Sequence, residues 1–238
     1  MSDLTTNLVM LVHNRPRHTE QAIESLYQNT PNQSFNLVVV DDNSAPTTRA
    51  LLENAAKLYG FYLSVQPVCG APKGTGASRN RAINLVQEVY GQGGLLCLSD
   101  NDVYFTEGWL DNLIANLEIA EQVGFKLLGG YCHPYQQSTR TYAGVGDYSI
   151  HEKLVVGCLS WLMRWETWFE YGPLDAHAKG INQSEDVAFC RKVTGAGWKV
   201  GSVWPWVVYN TGVTGSFGKP CPGSDLVKKA VPKGVWHE

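Results

Sequence analysis

Three predominantly apolar runs, each broken at its carboxyl end by a polar cluster, constrain this chain more than any other feature. They are Leu8 to Val12 before His13-Asn14-Arg15, Phe35 to Val40 before Asp41-Asp42-Asn43-Ser44, and Leu95 to Leu98 before Ser99-Asp100-Asn101-Asp102. A short run without polar alternation is the pattern of a strand buried on both faces, as in a parallel sheet covered by helices. Helical periodicity fills the gaps. Ala22, Ile23 and Leu26 predict a helix that Thr19 can cap, and a second helix is predicted over Thr48 to Tyr59. Tyr62 to Val65 reads as a short strand, and Ala82, Ile83, Leu85 and Val86 continue a helix that follows a glycine-rich loop. Leu110, Leu113, Ile114 and Leu117 predict another. Strand and helix alternate through residue 120, which predicts a doubly wound, Rossmann-like α/β arrangement with a mostly parallel sheet flanked by helices.

Beyond residue 125 the alternation loosens. Phe125 to Gly130, Thr141 to Val145 and Leu154 to Gly157 are short strand candidates, and Trp204 to Tyr209 alternates like a strand. Asp186 to Thr194 is helical by period and is stopped by Gly195-Ala196-Gly197. Trp161, Trp165 and Trp168 share the spacing of one helix face, and residues 161–170 are left open between helix and strand. No repeat or low-complexity linker divides the 238 residues, so one domain is expected, with a first half over about 8–120, a second over about 121–215 and a Gly-, Pro- and Lys-containing tail over about 216–238. Apolar residues make up 44% of the chain, enough for a sizeable core. No apolar run reaches the roughly 18 residues of a membrane span and the polar start does not resemble a signal peptide, so a soluble cytoplasmic protein is expected.

Charge narrows the partners. The net charge of −3 argues against a protein whose main task is holding nucleic acid. Residues 1–120 carry 7 basic and 12 acidic side chains, while residues 121–238 carry 12 and 10. An acidic first half meets an anionic substrate only if a cation intervenes. The six cysteines are scattered without a C-x-x-C pair, which predicts buried thiols rather than a zinc or redox site.

In an open α/β sheet, ligands sit beyond the carboxyl ends of the strands. The three polar clusters all fall there. Asp100 and Asp102 flank Asn101, a spacing that lets two carboxylates meet one hard cation such as Mg²⁺ or Mn²⁺. The same residues also suit an Asx turn leading into a helix near Thr106. The loop from Gly70 to Gly76 has neither the P-loop order nor G-x-G-x-x-G, but Lys73, Arg79 and Arg81 bring positive charge to a helix start. Ser184-Glu185-Asp186 reads both as a helix N-terminal cap and as a pair of carboxylates available for proton transfer.

Taken in order, Leu8 to Arg15, Val38 to Ser44, Gly76 to Ile83 and Leu98 to Asp102, followed by Gly157, Arg164, Tyr171 to Asp175 and Ser184 to Arg191, resemble the successive motifs of GT-A glycosyltransferases of the family 2 type. That resemblance covers about residues 8–215 and implies a GT-A fold and transfer of a sugar from a nucleotide diphosphate sugar, with UDP the usual nucleotide. It assigns Asp42 to the base, with Val12 and Asn14 lining that pocket, and Asp100 to the ribose and diphosphate. Arg15, Lys73, Arg79 and Asn101 are counted with the donor side. Asp102, with Asp100, would hold Mn²⁺ or Mg²⁺, and Asp186 or Glu185 would deprotonate the acceptor hydroxyl in an inverting reaction. One departure stands out. Many relatives carry a metal-binding His where this chain has Asn210, which leaves the cation to Asp102 and the diphosphate, or to a tail residue such as His237.

The acceptor is open: a glycan, a small molecule or a modified nucleic-acid base. Seven of the eight tryptophans lie beyond residue 120, and Trp161 and Trp204 are the candidates to stack on it, although aromatics at helical spacing also suit a core. Lys219, Lys228, Lys229 and Lys233 suit either a lid over the donor or a solvated tail. Two other classes share some of these features. A sugar-phosphate nucleotidyltransferase would carry a glycine-rich first loop where this chain has His13-Asn14-Arg15-Pro16, and a non-catalytic binding module would not need Asp102 and Asp186 together.

Overall fold

The computed structural model describes residues 5–31, 35–65, 74–132, 136, 138–177 and 184–212. Thr6–Val12 (β1) is buried along its whole length. It runs parallel between Phe35–Asp41 (β2) and Leu95–Asp100 (β4), and Tyr62–Val65 (β3) adds in parallel to β2. The helices Pro16–Gln28 (α1), Pro46–Tyr59 (α2) and Thr75–Tyr90 (α3) make the crossovers. A three-residue strand, Val103–Phe105 (β5), and the helix Trp109–Glu121 (α4) follow.

The second half completes a nine-stranded sheet with mixed pairing. Phe125–Gly129 (β6) is joined to β4 through Ser160–Arg164 (β9), which runs antiparallel to both. Lys199–Trp204 (β10) lies parallel to β6, and an antiparallel hairpin of Arg140–Ala143 (β7) and Ser149–Lys153 (β8) closes that edge. The full order is β3-β2-β1-β4-β9-β6-β10-β8-β7. Trp165–Tyr171 (α5) and Glu185–Gly195 (α6) complete the helices, and Val208–Asn210 (β11) pairs with β5 in a separate ribbon.

Side-chain alternation along β1 divides the core into two layers. Leu8, Met10 and Val12 meet Ala22, Ile23 and Leu26 of α1 and Trp109, Leu113 and Leu117 of α4. Val9 and Leu11 face the other way, toward Ala82, Ile83 and Val86 of α3 and the cluster of Trp161, Trp165, Trp168 and Phe189. Each fully buried Leu, Val or Phe contributes roughly 1.5–3 kcal/mol, against about 1 kcal/mol for the whole range of strand propensity, so burial on both faces fixes these strands.

Several expectations are corrected. Thr19 lies inside α1; the cap position is Arg15, and Pro16 opens the helix, where its missing N–H is no loss. Likewise α2 begins at Pro46, two residues before Thr48. Residues 161–170 are a strand followed by a helix, because Leu162 and Met163 must pair between β4 and β6. Leu154 to Gly157 is a loop, and the expected strand over Trp204 to Tyr209 is split at Pro205, which has no N–H to give a ladder. Among the described residues no helix is long and apolar enough to cross a membrane.

Candidate active site

The polar clusters that follow β1, β2 and β4 do meet on one rim, because all three strands run the same way. Register holds them together: Val12 pairs with Asp41, and Leu11 with Asp100. Three non-glycine residues with left-handed backbone, Asn14, Arg15 and Asn43 (φ 57°, 57° and 62°), lie in the first two loops. Such conformations cost an L-residue about 1–2 kcal/mol, less for Asn, and persist where neighbours hold them. Here the neighbours are visible. Asn14 accepts at its side-chain oxygen from the Ala45 N–H (2.8 Å), and its own N–H donates to Ser44 Oγ (2.8 Å). Asn101 donates to the Asn14 carbonyl (3.1 Å) and to Thr19 Oγ1 (2.7 Å).

This arrangement changes two donor-side assignments. The Val12 side chain belongs to the core; what it offers the rim is its carbonyl, which accepts from the Asp42 N–H at 2.8 Å. The Asn101 amide is buried and turned inward, so it positions the first loop instead of facing a ligand. The adjacent acids divide similarly. Asp41 is fully buried and structural, accepting from Arg49 Nε (3.0 Å) and the Ser44 N–H (2.9 Å). Asp42 follows at the rim and is itself largely buried. Lys73 and His237 lie outside the described residues.

Arg79 joins the two halves. From α3 it donates to Asp100 at the end of β4, to Glu185 at the start of α6, and to the Cys158 carbonyl at 3.0 Å. Burial opposes its charge, but the carboxylates of Asp100 and Glu185 more than restore it, so the guanidinium stays cationic. Burial pushes the Asp100 carboxyl up, to about 6, with Arg79 pulling it down and Asp102 pushing it further up. Close packing supports this junction. A Cβ on Gly76 would collide with the Asp175 carbonyl, and Asn80 clamps Leu174 through two hydrogen bonds of 2.8 and 2.9 Å.

Glu185 and Asp186 therefore separate. Glu185 is buried against Arg79, with its carboxylate engaged by the guanidinium. Asp186 is half-buried, accepts from Ser184 Oγ and from the Val187 N–H (2.7 Å), and has its other oxygen 3.9 Å from where a Cβ on Gly157 would stand. Burial pushes the Cys158 thiol well up, with Arg79 pulling it down and Asp100, Glu185 and Asp186 pushing it further up.

Asp102 pairs with Arg15, whose side chain is 43% exposed. Beside them, the Thr211 N–H donates to the Asp102 carbonyl (2.7 Å), and His18 Nε2 lies 3.2 Å from the Thr211 carbonyl. An ideal Cβ on Gly212 would stand 2.6 Å from Asp102 Oδ2, 3.0 Å from Asn210 Oδ1 and 3.2 Å from an Arg15 guanidinium nitrogen. Two oxygens and a guanidinium thus crowd the Gly212 Cα, and the Gly212 N–H donates to Asn210 Oδ1 (2.7 Å). Hard divalent cations take such oxygens, usually one or two carboxylates completed by substrate phosphates, so the residues fit Mg²⁺ or Mn²⁺. Among the described residues no three His, Cys, Asp or Glu side chains form a cage by themselves.

The two tryptophans proposed for the acceptor part ways. Trp161 is fully buried and donates to the Val156 carbonyl (3.1 Å), so it is core and cannot stack on a substrate. Trp204 is 41% exposed at the end of β10. Trp206 follows Trp204 across Pro205, and Tyr209 packs against it at 6.1 Å between ring centroids. The four described cysteines (Cys97, Cys132, Cys158 and Cys190) are buried free thiols.

Comparison with known proteins agrees with this fold. The model of glycosyl transferase family 2 matches residues 8–142, more than half of the chain. A search of curated proteins by sequence found no significant match. Among solved structures, the fold is similar to mannosyltransferase PcManGT from Pyrobaculum calidifontis in complex with GDP-Man and Mn²⁺ (TM-score 0.60, 12% identity, 83% of this chain and 56% of that one). It is also similar to GalNAc-T7 with UDP, GalNAc and Mn²⁺ (TM-score 0.62, 15% identity, 84% and 42%). S. aureus TarS 1-349 in complex with UDP-GlcNAc is a third (TM-score 0.56, 16% identity, 84% and 56%). The chain thus spans about half the length of these proteins. With a parallel donor-type half, an antiparallel β9 insertion and acidic residues gathered at the strand ends, the chain belongs to glycosyl transferase family 2 and has its GT-A fold.

Proposed function

We propose that the protein transfers a glycosyl group from a nucleotide diphosphate sugar, with UDP favoured, to an acceptor hydroxyl with inversion. The observation that carries this reading is the junction at Arg79, which ties the Asp100 carboxylate of the donor rim to the helix that presents Asp186. In this reading Asp42 holds the base and Asn14 shapes its pocket. Asp102, with Asp100, holds Mn²⁺ or Mg²⁺. When bound, such an ion neutralises charge on the donor diphosphate as a Lewis acid. Arg15 is the exposed partner of Asp102 and is free to turn toward phosphate oxygens, where its planar fork suits them.

Asp186 accepts the proton of the acceptor hydroxyl. The acceptor oxygen forms a bond to the anomeric carbon as the bond from that carbon to the phosphate oxygen breaks, and the nucleoside diphosphate leaves. Glu185 acts through Arg79 as a positioning residue. Incubation with a panel of UDP- and GDP-sugars and Mn²⁺, followed by chromatography for released nucleotide, tests the reading. Release from at least one donor, lost in Asp102→Ala, is the expected result. No release and no binding of any donor would sink it.

A further inference from the structure

The rim that carries the acidic site continues, and its far end is aromatic. β10 runs parallel to β6, and β6 and β4 are each antiparallel to β9, so the carboxyl ends of β4, β6 and β10 lie on one side. Trp204 therefore stands on the same rim as Asp100, three strand spacings away, or about 14 Å. Between them lies the Gly129-Gly130 pair, buried beneath neighbouring side chains. A Cβ on Gly129 would stand 2.6 Å from Val156, and one on Gly130 would stand 3.0 Å from Val208, so larger residues are excluded there.

The aromatic end is a built surface. Trp206 is central, with Tyr131 at 4.7 Å, Trp204 at 5.0 Å and Tyr209 at 6.1 Å between ring centroids. His151 stacks on Trp204 at 6.5 Å and 23°. The backbone beneath is pinned, because the Val207 and Val208 N–H groups both donate to the Gly130 carbonyl and the Val207 carbonyl accepts from Thr106. The same segment runs on through β11 to Asn210 and Thr211 beside Asp102. Acidic site and aromatic end are thus joined by one continuous segment of chain.

Its chemistry favours a neutral ligand. A nucleic acid needs lysine or arginine to track its phosphates as its bases stack. The cation contacts to aromatic rings among the described residues fall elsewhere, on Trp198, Tyr142 and Phe125. Beside Trp204 stand His151, whose neutral form is favoured by burial, and the Ser149 hydroxyl, which bonds it at 3.0 Å. A pyranose ring presents C–H bonds on one face and hydroxyls around its edge, matching flat rings bordered by small polar groups.

We infer that Trp204 and Trp206 form a distal subsite for a neutral oligosaccharide acceptor, whose reacting sugar lies at Asp186 while a ring further back stacks at the aromatic end of the rim. The inference rests on the glycosyl-transfer reading. It assigns to the acceptor more than one sugar ring, one reacting and one stacked.

The test is binding of the intact protein to an array of immobilised neutral mono-, di- and tetrasaccharides and single-stranded oligonucleotides, with affinities of the captured ligands then measured by calorimetry. The expected result is capture by at least one tetrasaccharide, with its monosaccharide bound at least about tenfold more weakly and Trp204→Ala reducing tetrasaccharide affinity at least about tenfold. Trp206→Phe, which keeps the core packing, should give a smaller loss, and unchanged circular dichroism should exclude misfolding. Capture of no tetrasaccharide, equal affinity for monosaccharide, capture by oligonucleotides alone, or an unaffected Trp204→Ala would overturn the proposal. Wild-type binding of UDP with Mn²⁺ is measured in parallel. Its failure, with GDP also unbound, would sink the glycosyl-transfer reading, whereas failure on the array with nucleotide binding intact would sink the subsite alone.

Discussion

The two ends of the rim are built differently. At the acidic end the charged side chains are already paired: Arg79 with Asp100 and Glu185, Arg15 with Asp102, and Arg49 with Asp41. At the aromatic end, rings pack on rings over a pinned backbone, and Trp204 is left half open. A donor's diphosphate has the same charge whatever sugar it carries, so its site can be preorganised by fixed ion pairs. Acceptors differ in shape, and an open aromatic surface can accommodate them.

The largest effect separates the two arginines of the acidic end. Arg79→Ala leaves Asp100 and Glu185 facing each other at a buried junction and should cost about 3–5 kcal/mol of stability in urea unfolding. Arg79→Lys should recover only part, because an ammonium cannot span both carboxylates and the Cys158 carbonyl. Arg15→Ala, at an exposed pair, should cost less than about 1 kcal/mol. Equal losses for the two would erase the distinction between a buried frame and a mobile partner.

Next comes the proton acceptor. Asp186→Asn should slow transfer about a hundredfold or more while UDP affinity stays unchanged, as read by steady-state kinetics and calorimetry. The neighbouring Glu185→Gln should instead lower stability, through its pair with Arg79. A rate loss confined to Glu185→Gln would reverse the two assignments.

Much of the acidic end was legible because contiguous apolar strands deliver their polar ends to one place, and local sequence shows both the strand and the end. The division between Glu185 and Asp186 was not, since the partner that decides it, Arg79, is over a hundred residues away. Asn101 reads like a ligand-facing amide until Thr19 and Asn14 are seen to claim it. Trp161 misled for a different reason. Its spacing to Trp165 and Trp168 matches a helix face, yet a strand ends and a helix begins between them, and only the latter two share α5. The β5 and β11 ribbon, three residues on each side, is too short to leave a pattern.

A smaller effect probes the space beside Asp102. Gly212→Ala places a methyl against the carboxylate and Asn210, and should weaken UDP binding in the presence of Mn²⁺ about tenfold with little change in thermal stability. The smallest belongs to the aromatic end. Burial, with Lys153, holds His151 below the usual imidazole range. The folded state therefore binds this proton less readily than the unfolded chain does, so stability is full above about pH 6.5 and declines as pH falls below it. His151→Gln should flatten that part of the stability profile, and an unchanged slope would remove His151 from the account.

The central claim is that Asp102 and its neighbours receive a nucleotide diphosphate together with a divalent cation. Calorimetric titration of UDP into the protein, with and without Mn²⁺ and repeated with Asp102→Asn, measures it most directly. The account predicts binding that strengthens at least about tenfold with Mn²⁺ in the wild type and loses that dependence in Asp102→Asn. Binding of equal strength with and without the cation, or a Mn²⁺ dependence that survives the substitution, would contradict it.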